Sequence, residues 1–247
     1  MAQQPDELSP LERLRRALST ARRLPLIEDA MRSYCASARI RMLSYYHYPP
    51  VGAPDFGPDI QVYAFGWPSD WEAIYRAEGM LHLDPMPKVA ASRTLPFWWS
   101  DISRLATLDA AELAYLDKAR QAGFGDGLAI PVFGPRGRIG YYAAGFGKDA
   151  VRPDEAAIAE IHAACQLAHL RYCDLIFEAL PESVSLSDRE RQILGFLVRG
   201  HSNQMIASKL NISSNTVDTY VRRCFDKLEV RDRMTAGLRG IALGLVA

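Results

Sequence analysis

Two stretches of the chain hold residue types whose spacing suggests chemistry. Between positions 67 and 99, Trp67, Trp71 and Trp99 share a window with Tyr75, Phe97 and Asp84. An indole N–H only donates a hydrogen bond and a carboxylate only accepts one. The set therefore offers complementary polar contacts inside an aromatic wall, the usual form of a small-molecule pocket. The same aromatics have a plainer reading as hydrophobic core. Asp84 followed by Pro85 also fits a helix N-cap with proline at the first helical position, where the missing N–H does no harm. The second stretch, Leu186 to Val230, carries Asn215, Asp218, Thr219, Arg222 and Arg223 on one side of a helical pattern. Such groups pair with adenine and guanine edges and neutralise phosphates. A small helical bundle with a solvated charged face shares this periodicity.

Three short helices are expected to carry the second set. Ser187 with Glu190 fits a capping box, and Ile193, Leu194 and Leu197 give an apolar stripe that Gly200 terminates. Ser202 caps a second helix with Ile206, Ala207 and Leu210 inside. A turn at 211–213 follows, and Ser213 or Ser214 caps the third helix. There Val217, Val221, Cys224, Phe225 and Leu228 recur at three- and four-residue steps, leaving the polar set on the opposite face. Two helices joined by a short turn, the second bearing that face, make a helix-turn-helix. Met234, Leu238, Ile241 and Leu245 predict a last helix whose apolar seam pairs with a second copy or packs on its own three helices.

The aromatic window needs a different frame. Leu8, Leu11, Leu14 and Leu18 form one helical stripe, and Ile27, Met31, Tyr34 and Ala38 another. Met42–Tyr48 and Gln61–Phe65 read as adjacent strands across a Pro/Gly-rich turn, and 127–133 with 138–146 as a hairpin around GPRG. Helices are predicted at 71–80, 85–92 and 108–122, the last with Leu113, Leu116 and Ala119 inward, and a long one at 154–178. The expected fold is α+β, an antiparallel sheet sandwiched by helices, joined to an all-α, four-helix helix-turn-helix domain. The expected boundaries are 1–179, a linker at 180–185, and 186–247.

Composition narrows the function classes. A chain of 247 residues with 49% apolar and 23% charged residues is ordinary globular protein with room for one domain or two. No eighteen-residue apolar run occurs and MAQQPDELSP lacks the features of a signal peptide, so a cytoplasmic protein without membrane contact is expected. Net charge is zero, yet residues 182–247 hold ten Lys and Arg against seven Asp and Glu, which places a basic excess with the third helix. Cys35, Cys165, Cys173 and Cys224 show no paired spacing, and no histidine spacing suggests a ligand set, so neither disulfides nor a metal is expected. GFGDG at 123–127 leads into a strand and not a helix, which argues against a nucleotide site. No Gly-x-Ser-x-Gly elbow or Cys–His pair appears, so an enzyme is not expected. The five alternating strand–helix units of a receiver domain are missing too.

LSDRERQIL, Gly200, IASKL, NISSNTV, KLEVRDR and ALGLV, in this order and spacing, resemble the DNA-binding domain of LuxR-type transcription factors over Leu186–Val246. Trp71-x-x-x-Tyr75, Asp84-Pro85, Trp99 and Gly127 are similarly placed to motifs in the ligand-binding domain of those regulators. The resemblance implies quorum-sensing control of transcription, with an acyl-homoserine lactone autoinducer in an enclosed pocket and no cofactor. Around the ligand it places Trp67, Trp71, Tyr75, Asp84 and Pro85, together with Met86, Trp99, Ala143 and Tyr63. In these roles Asp84 accepts from the ligand amide, Trp71 donates to the lactone carbonyl, and Tyr75 and Trp99 are walls. On DNA it places Ser214, Asn215, Thr216, Asp218, Thr219, Arg222, Arg223 and Lys227. It further implies a homodimer on an inverted-repeat promoter site of double-stranded DNA, and contact with RNA polymerase. Departures from the family pattern bear on specificity. Trp67 replaces a usual tyrosine, and Met86 and Ala143 replace frequent hydroxyl residues, suggesting an apolar or aromatic acyl group without a strict 3-oxo requirement. Met205, Asp218 and Tyr220 also depart, which bears on the base sequence read. Response to an aryl or branched lactone or another small molecule, without a synthase of its own, stays open, as does ligand-independent repression.

Overall fold

The computed structural model describes residues 8–57, 60–179 and 184–246. It divides into two compact units, Met1–Tyr48 with Asp59–Leu175 and Pro49–Pro58 with Ile176–Ala247. Most of the predicted linker, 180–183, lies outside the described residues.

The first unit begins with α1 (Pro10–Thr20) and α2 (Leu24–Ser37). Ser9 and Glu12 cap α1 reciprocally, which fixes its start and leaves Leu8 outside it at 41% exposure while Leu14 and Leu18 are buried. The strands β1 (Met42–Tyr48) and β2 (Gln61–Phe65) fall where the β-branched and aromatic runs predict them. Next come α3 (Ser69–Ala77), α4 (Pro85–Ala90), β3 (Phe97–Trp98), α5 (Ile102–Leu105) and α6 (Ala110–Gln121). The hairpin of β4 (Asp126–Phe133) and β5 (Ile139–Gly147) precedes α7 (Glu155–Ala179). Among the described residues the strands form one antiparallel sheet in the order β2-β1-β5-β4-β3. The α+β expectation holds.

Alternation along the strands divides the sheet into two faces. Leu43, Tyr45, Tyr63, Ile130, Tyr142 and Ala144 pack with α1, α2 and α7. Tyr46, Ala129, Tyr141 and Ala143 pack with α4 and its neighbours on the other side. One strand escapes the sequence pattern and one local expectation fails. The two-residue β3 is too short to give a period-two signal. In α6, Leu113 is 47% exposed, because the helix turns Tyr115, Leu116 and Ala119 toward the sheet side instead.

The second unit holds α8 (Asp188–Val198), α9 (Asn203–Leu210), α10 (Ser214–Leu228) and α11 (Arg233–Ala242). Each start is capped by a side chain on a nearby N–H: Ser187 on Glu190, Ser202 on Met205, Ser213 on Thr216 and Asp232 on Thr235. Of the two serines offered for α10, Ser213 is the cap. The stops are as local: Gly200 and Asn211 both adopt positive φ, where glycine and asparagine cost least. Ile193, Leu194, Ile206, Val217, Cys224 and Leu228 close the core. The predicted terminal seam keeps Met234, Leu238 and Ile241 on the helix but loses Leu245. The last helix ends at Ala242, so Leu245 folds into the core at 8% exposure while Met234 and Ile241 stay out at 76% and 43%.

Candidate ligand cavity and DNA-reading face

Between the second sheet face and α3, α4 and α6 lies a cavity of about 310 Å³. Trp67, Trp71, Tyr75, Asp84, Met86, Trp99 and Ala143 all line it, so seven predicted residues converge from segments far apart in sequence. Trp71 and Tyr75 come from one face of α3, one turn apart. The Trp71 ring meets Phe124 edge-on at 4.7 Å, and Trp67 stacks on Trp99 at 6.0 Å. Trp99 is fixed from behind. Asp126 accepts from the Ser100 N–H at 3.2 Å and the Ser100 hydroxyl at 2.8 Å, anchoring the turn at 99–101 to β4. A Cβ on Gly127 would stand 2.5 Å from the Trp99 ring, so that glycine is the seat of the indole.

Asp84 caps α4 and also lines the cavity. As N-cap of α4 its Oδ1 accepts the Met86 N–H at 2.9 Å, and its Oδ2 accepts the Tyr75 hydroxyl at 3.2 Å. Burial pushes its pKa up to about 6; the Met86 N–H and the Tyr115 and Tyr75 hydroxyls limit that rise. Tyr75, Tyr115 and Tyr141 are held protonated, chiefly by burial and then by the Asp84 charge, so all three remain donors. Among the described residues the buried indole nitrogens of Trp67 and Trp99 have no hydrogen-bond partner. An unpaired buried donor costs about 1–3 kcal/mol.

Two of the ligand expectations are corrected. Tyr63 pairs with Tyr45 in register and shares its face, so its hydroxyl meets Tyr142 at 3.2 Å inside the opposite core and not the cavity. Pro85 is buried as the first residue of α4 and does not line the cavity. The sequence reading missed Ser44, Tyr46, Tyr115, Phe124 and Tyr141. Alternation would have supplied three of them: with Ala143 assigned, Tyr141 shares its face, and Ser44 and Tyr46 form the matching row on β1.

In the second unit, Asn215, Thr216, Thr219, Arg222 and Arg223 are exposed on α10, and Ser214 is half-buried at its start. Among the described residues neither arginine forms an ion pair, and Arg223 lies 5.5 Å over the Tyr220 ring. Asp218 and Lys227 are corrected. The Asn203 amide on α9 donates to Asp218 on α10 and accepts from Arg233 on α11 at 3.4 Å, so Asn203 links the three helices and engages Asp218. Lys227 donates to Glu190 at 2.7 Å and to the Ser185 carbonyl at 3.0 Å. Burial opposes the Glu190 charge, but Lys227 and the Ser187 N–H and hydroxyl outweigh it and hold the carboxyl below its usual range.

A cavity with aimed polar groups beside a sheet, and a separate helix-turn-helix with a free polar face, define a ligand-sensing DNA-binding protein. Sequence comparison agrees. Residues 27–172 match the autoinducer binding domain family, and residues 184–238 match the bacterial regulatory proteins of the luxR family. The chain belongs to the LuxR family of transcriptional regulators. It is 30% identical to RpaR, a quorum sensing-dependent transcriptional regulator of Rhodopseudomonas palustris, over 74% of each chain. It is 27% identical to y4qH of Sinorhizobium fredii over 73% of this chain, a match that spans just over half of that protein, 55%. The fold is similar to that of SdiA from Escherichia coli, with a TM-score of 0.69 at 18% identity, covering 94% of this chain and 97% of that one. SdiA in complex with octanoyl-rac-glycerol superposes with a TM-score of 0.71 at 18% identity, over 98% and 97% of the two chains. Among the described residues no helix is long and apolar enough to cross a membrane.

Proposed function

We propose that the chain is a quorum-sensing receptor for an acyl-homoserine lactone and, as a homodimer, binds an inverted-repeat promoter site. The observation that carries this reading is the buried carboxylate of Asp84 facing the cavity that also holds the unpaired indole N–H groups of Trp67 and Trp99. A secondary amide flanked by two carbonyls offers one donor and two acceptors. Asp84 accepts the amide N–H, Trp71 donates to the lactone carbonyl, and Trp67 donates to the amide carbonyl, while Tyr75 and Trp99 form walls. A volume near the lower end of ordinary pockets, about 300–1,000 Å³, favours a short or compact acyl group. The hydroxyls of Ser44 and Tyr46 leave room for a substituted chain, so a panel with and without 3-oxo groups discriminates. An octanoyl glycerol on SdiA also joins a medium acyl chain to a polar head.

Ligand binding favours the folded first domain by mass action, which in turn supports pairing through α7 and α11. Each protomer then presents Asn215, Thr216, Thr219, Arg222 and Arg223 to one half-site, as two-fold symmetry requires. Contact of the bound dimer with RNA polymerase belongs to the same reading. The decisive experiment is mass spectrometry of small molecules extracted from the protein expressed beside lactone-producing cells. Recovery of a lactone at one per protomer supports the proposal, and its exclusion by a different class of molecule overturns it. For the DNA face, Arg222→Ala is expected to weaken operator binding about tenfold and to lower the salt slope by about one. Unchanged binding and slope would remove Arg222 from the reading face.

A further inference from the structure

On the side of the sheet away from the cavity, His47 near the end of β1 meets His169 and Cys173, one turn apart on α7. All three are at most 4% exposed, and one donor atom from each lies within 4.8 Å of the other two. No spacing in sequence links His47 to the others, which is why a metal site was not expected from sequence. Cys173 Sγ stands 3.6 Å from His169 Nε2. Bonds of about 2.3 Å to sulfur and about 2.0–2.1 Å to nitrogen at a tetrahedral angle put those two donors about 3.6 Å apart. The Tyr45 hydroxyl lies 2.7 Å from His169 Nδ1 and 3.4 Å from His47 Nδ1. It is placed as the outer hydrogen-bond partner that orients a metal-binding imidazole.

The backbone beside the donors packs closely on them. Gly134 has φ −127°, an ordinary backbone angle, so its conformation does not demand glycine. A Cβ there would lie 2.8 Å from both Cys173 Sγ and His169 Nε2 and 3.3 Å from the Arg138 carbonyl oxygen. The glycine backbone therefore packs directly against both donor atoms, where no side chain fits.

We propose that His47, His169 and Cys173 form a site for a thiophilic metal ion of the zinc class. Two imidazoles and one thiolate suit a borderline-soft ion with a fourth position for solvent or a carbonyl oxygen. Binding forms one metal–sulfur and two metal–nitrogen bonds, and the Cys173 thiol proton is released to solvent. The ion would tie β1 to α7 within the filled core, apart from the ligand cavity.

Full-length, untagged protein stripped with a chelator would be titrated with zinc, and with cobalt(II) as a spectroscopic probe. The expected result is one equivalent bound, a thiolate-to-cobalt charge-transfer band, and a Tm raised by several degrees with zinc. Cys173→Ser should abolish the band and the shift, and His47→Gln should weaken zinc binding at least tenfold; His82→Gln should change nothing. A band that survives Cys173→Ser, or zinc binding no tighter than in that variant, overturns the site. If Cys173→Ser does not fold, His47→Gln decides alone: unchanged zinc affinity refutes the proposal and a tenfold loss supports it.

Discussion

Tyr45 and Tyr46 are neighbours on β1, as are Tyr141 and Tyr142 on β5, and each pair sends one ring to each face of the sheet. On the face toward α1, α2 and α7 the rings close a finished core. Tyr45 and Tyr142 stack at 4.4 Å, Tyr142 bonds to Tyr63 at 3.2 Å, and Tyr45 bonds to His169 at 2.7 Å. On the other face Tyr46 and Tyr141 stack at 5.7 Å beside a cavity containing a buried carboxylate and two indoles without partners. The same sheet and the same residue type thus build one side whose tyrosine hydroxyls are paired within the core and another whose hydrogen bonding is incomplete. Buried polar groups are normally paired, so the unfinished side is where an outside molecule gains most.

The largest expected effect tests whether the two faces differ as support. Tyr142→Ala removes a fully buried ring and unpairs the Tyr63 hydroxyl, and should cost about 3–5 kcal/mol of ligand-free stability in chemical denaturation. Tyr141→Ala borders space that is already hollow and should cost about 1–2 kcal/mol, with its main effect on ligand binding. Equal losses in the two variants would break the contrast.

The faces also differ in how far the sequence foretells them. The helix-turn-helix could be read from short-range chemistry: Ser187 with Glu190, Ser202 with Met205 and Ser213 with Thr216 are three residues apart, so the local string contains both partners. Trp71 to Tyr75 and Asp84 to Pro85 are local in the same way and were legible. Tyr115 reaches Asp84 from α6 across a fold that no local spacing encodes, and Tyr63 was misplaced because strand parity was not applied from one strand to its neighbour. Asp218 and Lys227 show the reverse error. Polar residues on a recognition helix look free until the Asn203 amide and the Glu190 carboxylate, 15 and 37 residues away, claim them.

The next effect concerns charge on the unfinished face. Asp84 has a folded pKa of about 6, raised above its ordinary 3.8, so its contribution to ligand-free stability is full below about pH 4 and is lost as pH rises through 6. A ligand N–H donating to the carboxylate favours the charged form, lowers that pKa and releases a proton on binding. Lactone affinity should therefore rise by roughly tenfold from pH 5 to pH 7 and then level off. Asp84→Asn keeps the helix cap, since asparagine caps well, but should lose both affinity and this pH dependence. Calorimetric titration at three pH values checks it, and a flat profile in the unaltered protein would mean that the ligand does not donate to Asp84.

The smallest effect isolates one hydrogen bond. Trp67→Phe deletes an indole N–H that has no partner among the described residues and keeps an aromatic ring between Trp99 and Phe124. Without ligand, the lost packing is offset by relief of the unpaired donor, so stability should shift by less than about 1 kcal/mol. With ligand, the variant lacks a donor to the amide carbonyl, and affinity should fall by about five- to tenfold, the worth of one net hydrogen bond of about 1–1.5 kcal/mol. Loss of affinity without loss of stability is the pattern an incomplete face predicts, because the group serves the complex and not the empty fold. If Trp67→Phe instead destabilised the ligand-free protein as Tyr142→Ala does and left affinity unchanged, Trp67 would belong to the scaffold, and the donor to the amide carbonyl would have to be sought in Ser44 or Tyr46.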